Sequence, residues 1–401
     1  MGRKEPAVKK MYEKVACGGM DVHYKFSTVT FRDCQGKVVC REVLDHRNWP
    51  DLVRRFSEWP RGVPIAMEGS FGWGWICDLM MQLGLSPQLA NSLKVAGMRK
   101  ARGDVKTNKK DAELVSLLPL EKGDWWKVWM PPAEVRDRRE WTRFRSDLVQ
   151  TQTRTKNRIH AIFHRHGIFH GFSDLFGAAG RRFLEAAVEE GAGLLSGGAL
   201  WALRGQVSIL TQTRKEIAAV LQETHKYLQR TPVTHHLRQT IPGLGAVLTH
   251  VVVAETGDMA RFGYNHRRFA SYCLLAPRAD DSGEATEEPA VGRRLGHRGN
   301  RVLKWAFIEA ARAAVRRGGI WRAMYDRYTQ GGTKQRNRGY IKVARALAKL
   351  TVREWTKAIG GVEEGSSVPT TAAERKHRRG RRGRGSTRSG TGTPNHPMVK
   401  V

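Results

Sequence analysis

The sequence predicts an α/β domain, a pair of long helices and a mostly helical C-terminal region. Short strand-like runs and helix-like segments alternate through residues 13–122, in the order β-β-β-α-β-α-β-α. Beyond them, apolar residues recur every three or four positions through residues 133–166 and again through residues 200–228, as in amphipathic or coiled-coil-like helices. The 401 residues suffice for two or three such units.

The α/β domain is predicted from five extended segments and the helices between them. The extended segments are residues 14–23, 25–32, 37–44, 63–67 and 86–95, and the helices are residues 51–59, 73–83 and 108–118. Gln35-Gly36 is a hairpin signal between the second and third strands. This order is that of the ribonuclease-H-like fold, in which the active site lies where the first and fourth strands meet.

Acidic residues stand at the positions that this fold uses for catalysis. Asp21 lies near the end of the first strand, Glu68 follows the fourth, and Asp111 lies in the third helix. Taken singly, each is more simply a turn former or a solvated acid. Together they favour a catalytic site, because phosphodiester cleavage develops negative charge that Mg²⁺ ions held by a few carboxylates stabilise.

The overall charge points to a polyanionic partner. There are 70 Lys and Arg against 38 Asp and Glu, which gives a formal charge of +32. A membrane surface is a weaker alternative, because no long basic amphipathic helix with a continuous apolar face stands out. No apolar run approaches the ~20 residues that span a bilayer. The five cysteines include no C-x-x-C pair and are odd in number, which argues against a zinc site or a disulfide framework and predicts a cytoplasmic setting.

Residues 123–234 are predicted to form a helical linker and oligomerisation region. Trp125, Trp126 and Trp129 lie at its start, where they would either stack on nucleic-acid bases or pack the first domain against the helices; packing is favoured. The two long helices are expected to pair as an antiparallel hairpin or to dimerise between chains. Arg154 and Arg158 on the first helix are predicted phosphate contacts.

Residues 235–360 are predicted to form the helical C-terminal domain. Gly243 and Gly245 precede an apolar helix over residues 246–255. A glycine-rich turn of this kind exposes N–H groups that can hold a phosphate, as in a helix-hairpin-helix, but a plain interhelical turn explains it equally well. A later basic turn adds further predicted nucleic-acid contacts, namely Arg293, Arg294, Arg298 and Arg301.

The end of the chain is predicted to hold two more helices and a tail. The helices are expected over residues 302–317 and 340–359, with a mobile loop over residues 329–338. Residues 361–401 are rich in Gly and Arg and poor in apolar residues. They are predicted to form a disordered basic tail that binds nucleic acid without specificity.

Five different short motifs follow one another along residues 13–360. They are Gly-Met-Asp21-Val, Ala-Met-Glu68-Gly, Lys-Thr-Asn-Lys-Lys-Asp111-Ala, Ile-Pro-Gly-Leu-Gly245, and Phe269-Ala-Ser-Tyr-Cys-Leu-Leu-Ala-Pro followed by Ser282-Gly. No single motif is specific. The ordered set resembles the DEDD-class bacterial insertion-sequence transposases, which join an N-terminal RuvC-like domain to a C-terminal transposase domain with a nucleophilic serine.

The resemblance implies a set of catalytic residues and partners. The four metal-binding positions would be Asp21, Glu68, Asn108 and Asp111, and Asn108 departs from the pattern because an amide brings no charge. Ser282, in what is otherwise an ordinary Asp-Ser-Gly turn, would attack a DNA phosphate and form a covalent link. A non-coding RNA would guide the protein to donor and target DNA. We expect a homo-oligomer, either a dimer or a tetramer.

These residues support three functional hypotheses. The first is a Mg²⁺-dependent DNA recombinase that mobilises an insertion sequence. The second is a RuvC-like structure-specific nuclease, in which water attacks at the carboxylates and Ser282 is only a turn residue. The third is a degenerate copy that binds nucleic acid without cutting, suggested by Asn108. Covalent protein–DNA adducts separate the first two hypotheses, and metal titration separates the third from both.

Overall fold

The computed structural model describes residues 11–69, 72–103, 107–190, 195, 197–277, 295, 298–329 and 335–360. The first part is a five-stranded sheet of order β3-β2-β1-β4-β5. The strands are β1 Cys17–Val22, β2 Phe26–Arg32, β3 Val38–Asp45, β4 Pro64–Glu68 and β5 Ser86–Ala90. β1 is antiparallel to β2 and parallel to β4, so the first and fourth strands lie side by side as predicted.

Four helices accompany the sheet: α1 Trp49–Glu58, α2 Trp73–Gln82, α3 Ser92–Arg102 and α4 Asn108–Val115. β1 and β2 are central strands, and almost all of their residues are buried. Phe31 of β2 lies in the core and meets Trp59 edge-to-face, with ring centroids 5.0 Å apart. Burial of these large side chains stabilises the sheet and holds the strand ends in place.

The predicted extended segment over residues 86–95 was wrong in its second half. β5 ends at Ala90, and the side chain of Asn91 then caps α3 by accepting hydrogen bonds from the backbone N–H groups of Leu93 and Lys94, at 3.0 and 3.3 Å. Asn is a favoured N-cap residue because its side chain satisfies otherwise unpaired donors of the first turn. The helix that it starts was absent from the sequence prediction.

The middle of the chain contains α5 Ala133–Arg165, α6 Ala178–Glu190 and α7 Gly197–Arg230. α5 and α7 are antiparallel: the Arg138 guanidinium lies over the Tyr227 ring at 4.8 Å, and Ile159 shares a core with Leu203 at the other end. Of the two arrangements expected for the long helices, the antiparallel hairpin is therefore the one that the structure shows within the chain.

The expected apolar face of α5 holds only in its C-terminal half. Trp141 and Phe144 are 40% and 48% exposed, because Val135 and Thr142 occupy the inward positions of the N-terminal half.

The C-terminal part is helical, as predicted. Its helices are α8 Pro232–Thr240, α9 Ala246–Thr256, α10 His266–Tyr272, α11 Arg301–Arg317, α12 Gly319–Thr329 and α13 Arg336–Gly360. Phe269 and Phe307 pack in one core with alanines of α11. α12 was not predicted, and α13 begins before residue 340. The rest of the expected loop, residues 330–334, and the tail over residues 361–401 lie outside the described residues.

In the part of the chain that the structure describes, no helix is both long and apolar enough to cross a membrane.

Candidate active site

Asp21 and Glu68 lie on neighbouring parallel strands. Met20 of β1 pairs with Met67 of β4, so the same register places the next residues, Asp21 and Glu68, beside each other. Side chains that are directly paired across a sheet point to the same face. The two acids therefore meet at the carboxyl ends of β1 and β4, as the sequence predicted.

The end of α4 packs directly on β1. A Cβ atom added to Gly19 would lie 2.1 Å from the backbone nitrogen of Ser116, so only glycine allows this approach. The buried Arg32 of β2 donates from Nε to Ser116 Oγ at 2.7 Å, and Cys17 Sγ donates to the Ser116 carbonyl at 3.3 Å. Gly19 and Asp21 face the same side of the strand, and α4 places Asp111 on that side.

Two of the acids already have cationic or polar partners. Arg99 of α3 pairs with Asp111, with 2.8 Å between Nε and Oδ1, and the Asp111 side chain is 8% exposed. His23, two residues beyond Asp21 and thus on the same face of the chain, has its Nε2 2.9 Å from Asp21 Oδ2. Each of these two carboxylates therefore lies beside a nitrogen that carries or can carry a positive charge.

The pKa of Glu68 shows that the three acids share one electrostatic environment. Burial raises this pKa, Arg99 and a hydrogen bond with Ser92 lower it, and the charges of Asp21 and Asp111 raise it again. The net shift is upward. Arg99 and Ser92 both belong to α3, so sequence reasoning missed them together with that helix; the N-cap Asn91 was the available signal.

The acids offer the hard oxygen ligands that Mg²⁺ prefers, so the donor chemistry fits the ion. Their arrangement is not a preassembled coordination site, however. Among the described residues, no three His, Cys, Asp or Glu side chains converge closely enough to hold a metal ion. Joint coordination by Asp21, Glu68 and Asp111 requires Arg99 and His23 to release their partners.

The remaining predicted catalytic residues are only partly described. Asn108 is the first residue of α4, after the N-cap Thr107, whose hydroxyl accepts from Lys110 N at 3.3 Å; the Asn108 side chain is outside the described part. Ser282, Arg293 and Arg294 also lie outside the described residues. The residues that flank this segment, Pro277 and Leu295, pair in an antiparallel bridge.

The two glycines of the predicted phosphate turn differ. Gly243 has a φ of +84°, and a Cβ there would lie 2.1 Å from the carbonyl oxygen of Ala310 in α11. Packing against α11 therefore requires glycine at this position, whatever the turn binds. Gly245 is the N-cap residue of α9 and has no atom within 4 Å of an added Cβ.

The described arginines among the predicted nucleic-acid contacts are all exposed: Arg154, Arg158, Arg298 and Arg301.

Other arginines of α5 form ion pairs that join this helix to the sheet and to the C-terminal helices. Arg136 forms an ion pair with Asp78 of α2. Arg139 donates to the carbonyl oxygens of Ala254 and Glu255, at 3.1 and 2.9 Å, and Arg143 pairs with the fully buried Glu255 carboxylate at 3.1 Å. A buried carboxylate needs such partners. These arginines are structural, although their sequence pattern is indistinguishable from that of a nucleic-acid-binding face.

Comparisons with known proteins match both parts of the chain. Residues 18–168 match the transposase model for the DEDD domain of IS110 elements, and residues 235–326 match the transposase IS116/IS110/IS902 family. The insertion element IS116 uncharacterized 44.8 kDa protein of Streptomyces clavuligerus is 26% identical over 266 residues, which cover 56% of this chain and 65% of that protein. The chain thus spans about 65% of the length of this curated relative.

Proposed function

Because the chain belongs to the IS116/IS110/IS902 family of insertion-sequence transposases, we propose that it mobilises an insertion sequence by cleaving, exchanging and rejoining DNA strands. The observation that supports this proposal most directly is the carboxylate environment at the edge of the sheet, where Asp21 and Glu68 lie side by side on β1 and β4 and Asp111 pairs with Arg99 on the same side. That environment lies within the residues that match the DEDD model.

The proposed architecture has four parts. Residues 13–122 form a ribonuclease-H/RuvC-like catalytic domain, which the strand order β3-β2-β1-β4-β5 supports. Residues 123–234 are the linker and oligomerisation region, residues 235–360 the transposase domain with the serine, and residues 361–401 a basic tail. A homo-oligomer would allow the serine of one subunit to meet the carboxylates of another. The proposed setting is the bacterial cytoplasm, where the element's DNA lies.

Asp21, Glu68 and Asp111, with the amide oxygen of Asn108, would hold Mg²⁺. When bound, the ion would offset the negative charge that develops on the phosphate oxygens and lower the pKa of an attacking hydroxyl. The residues of this chain then have two tasks. The carboxylates would hold the cation without which they would repel the phosphate. Ser282 would lose its hydroxyl proton as Oγ forms a bond to phosphorus, and the bond from phosphorus to the leaving strand would break, with a proton taken up by the leaving oxygen. A serine hydroxyl needs such activation because it is a weak nucleophile at its own pKa.

Nucleic-acid binding would rest on phosphate contacts. The formal charge of +32 and the exposed Arg154, Arg158, Arg298 and Arg301 support this part of the proposal. Arg293, Arg294 and the turn at Gly243 and Gly245 are further proposed contacts. Donor and target DNA are the proposed substrates. The guide RNA is proposed from the family resemblance, because charge alone does not distinguish RNA from DNA.

Two observations favour a second candidate, a copy that binds nucleic acid without cutting it. Arg99 forms an ion pair with Asp111, with 2.8 Å between Nε and Oδ1. Residue 108 is an asparagine where the family pattern has an acid. Both features lower the attraction for a divalent cation. This candidate predicts that Mg²⁺ does not bind at the carboxylates at any physiological concentration.

The test is a search for a covalent protein–DNA adduct with end-labelled element DNA. Denaturing electrophoresis should show a slow, protease-sensitive band that needs Mg²⁺. Ser282→Ala should lose the band while still binding DNA, and Ser208→Ala, an exposed serine of α7, should retain it. Cleavage without an adduct in wild type would favour the water-attacking nuclease. Binding with neither cleavage nor adduct would favour the non-catalytic copy.

A further inference from the structure

A large cavity lies next to the carboxylates, where three parts of the chain meet. Its volume is about 790 Å³, within the range typical of ligand pockets. The lining comes from the start of α3, the linker before α5 and the C-terminal helices, and includes Asn91, Trp129, Arg139, Arg261, Tyr272 and Arg298. Asn91 adjoins Ser92, which hydrogen-bonds with Glu68.

Arg261 is the central cation of this cavity. Its guanidinium carbon lies 4.2 Å from the ring centroid of Trp129 and 4.4 Å from those of Phe262 and Tyr272. Three aromatic rings therefore fix the plane of the guanidinium. Its Nε and Nη2 atoms are buried, yet they have no hydrogen-bond acceptor among the described residues. Buried guanidinium donors without acceptors are unfavourable, so a ligand whose entry moves the surrounding rings and supplies an acceptor would stabilise them. Arg261 as a whole is only partly buried and lines the cavity, so such a ligand can approach it.

The acids near the cavity are already neutralised. Glu255 is paired with Arg143 and accepts from Asn300 Nδ2 at 2.7 Å, so it is not available to Arg261. Burial lowers the pKa of Arg139, the charges of Glu255 and Tyr272 raise it, and the nearby charge of Arg261 lowers it again. Arg139 is also paired with the Glu255 carboxylate, with 3.6 Å between Nε and Oε2, so the attraction for an anion in this partly desolvated place comes from Arg261.

The cavity also offers flat apolar surface. Phe262 is buried, whereas Trp129 and Tyr272 remain partly exposed. Arg298 is exposed at the rim, held near Tyr272 because Asn300 N donates to the Tyr272 carbonyl at 2.7 Å. Aromatic rings beside fixed guanidinium donors are the combination that binds single nucleic-acid strands, through stacking on the base and hydrogen bonds to the phosphate.

We propose that this cavity accepts one nucleotide of a single-stranded or extruded nucleic-acid segment, with its phosphate on Arg261 and its base against Trp129 and Tyr272. The proposal rests on the proposed function, because it takes the ligand to be a strand that the carboxylates act on or that guides them. A nucleotide held here lies beside the N-terminus of α3, whose Ser92 and Arg99 contact Glu68 and Asp111. The cavity thus positions the neighbouring strand at the carboxylates.

The first experiment is photocrosslinking of the full chain. Single-stranded DNA carrying 5-iododeoxyuridine and single-stranded RNA carrying 4-thiouridine are crosslinked separately, and the modified peptides are identified by mass spectrometry. Adducts on Trp129, Phe262 or Tyr272 are expected, and the arm that yields them shows whether DNA or RNA occupies the cavity. Adducts confined to residues outside the cavity, on a protein that binds both strands, would overturn the proposal.

The second experiment compares two charge variants by fluorescence anisotropy. Arg261→Gln should weaken binding of the strand about tenfold, since stacking and charge-assisted contacts at one nucleotide are both lost. Arg267→Gln removes an equal charge from an exposed position on α10 and should weaken binding much less. An equal loss in both variants would show that Arg261 acts only through net charge and would overturn the proposal.

A second pair of variants shows whether a loss of binding in Arg261→Gln reflects a folding defect. Trp129→Phe keeps a ring beside Arg261, and Trp129→Leu does not, while both lose the contact of the indole with Gly257. Binding retained by Phe and lost by Leu, at similar unfolding temperatures, supports stacking; equal binding by both variants contradicts it. Formation of the covalent Ser282–DNA adduct is measured on the same wild-type protein that is used for crosslinking. An adduct without cavity crosslinks would refute the pocket alone, and crosslinks without an adduct would refute the recombinase alone.

Discussion

Arg99 and Asp111 form an ion pair at the centre of the candidate site, with 2.8 Å between Nε and Oδ1. Their side chains are 17% and 8% exposed, so the pair is only weakly screened by water. Arg99 also lowers the pKa of Glu68. One guanidinium therefore compensates two of the three acids, and it competes with any cation that those acids would bind.

Removing the Arg99 guanidinium should lower the stability of the protein and raise its affinity for Mg²⁺. We expect Arg99→Gln to lower the free energy of unfolding without Mg²⁺ by about 3 kcal/mol, because buried carboxylates lose their partner. Mg²⁺ should bind the variant about tenfold more tightly, as measured by isothermal titration calorimetry, and should restore much of the lost stability. Lys100→Gln, at an exposed position of the same helix, should change neither quantity. Unchanged affinity in Arg99→Gln would show that Arg99 does not compete with the ion.

Asn108→Asp should also tighten Mg²⁺ binding, by adding a charge at the first residue of α4. The added carboxylate lies in the first turn, where the helix dipole favours it, so stability should not fall. Calorimetry on the variant and on Asn157→Asp, an exposed position of α5, provides the comparison. Equal affinities in the wild type and Asn108→Asp would place residue 108 outside the coordination shell.

Two glycine substitutions should have opposite effects on stability. Gly19→Ala should destabilise the protein by about 2 kcal/mol or more, because its methyl group would overlap the backbone of Ser116 and push α4 away from β1. Gly97→Ala, in the middle of α3 with open space around the added Cβ, should stabilise by about 0.5–1 kcal/mol. Chemical denaturation measures both. A harmless Gly19→Ala would contradict the close contact between α4 and β1.

His250 should make stability depend on pH. Burial, and then the charge of Arg138, lowers the pKa of His250 to about 4, and neither ring nitrogen has a hydrogen-bond partner among the described residues. The unfolded chain has an ordinary histidine pKa of about 6.5 and therefore binds a proton first. The contribution of neutral His250 is complete above about pH 6.5 and is lost as the pH falls from there towards 4.

The matching experiment compares denaturation at pH 7 and near pH 4. His250→Phe keeps the edge contact with Tyr227 and cannot titrate, so its loss of stability over this interval should be smaller than that of wild type by up to about 3 kcal/mol. His225→Gln, at an exposed position, should follow the wild-type profile. Parallel profiles for wild type and His250→Phe would show that His250 is protonated freely in the folded protein.

Local pattern sufficed to place two of the acids. Asp21 and Glu68 end strands whose apolar residues and turn signals lie within a few positions, so the strands and their order were predictable. α3 was not, because its start depends on the cap formed by Asn91 and its sequence has no clear apolar face. Arg99 and Ser92 therefore entered the candidate site only with the structure.

The sequence by itself determined the order of the strands along the chain, the two long helices and the positive charge, since these arise from short-range periodicity and composition. Only the tertiary structure decided what each cation does. Arg143 and Glu255 are 112 residues apart and Arg261 reaches Trp129 in the linker, so nothing local distinguishes these arginines from the exposed Arg154 and Arg158. Whether a guanidinium forms an ion pair within the fold or remains available to a ligand depends on the residues that distant parts of the chain place beside it. The periodicity of the sequence does not specify those residues.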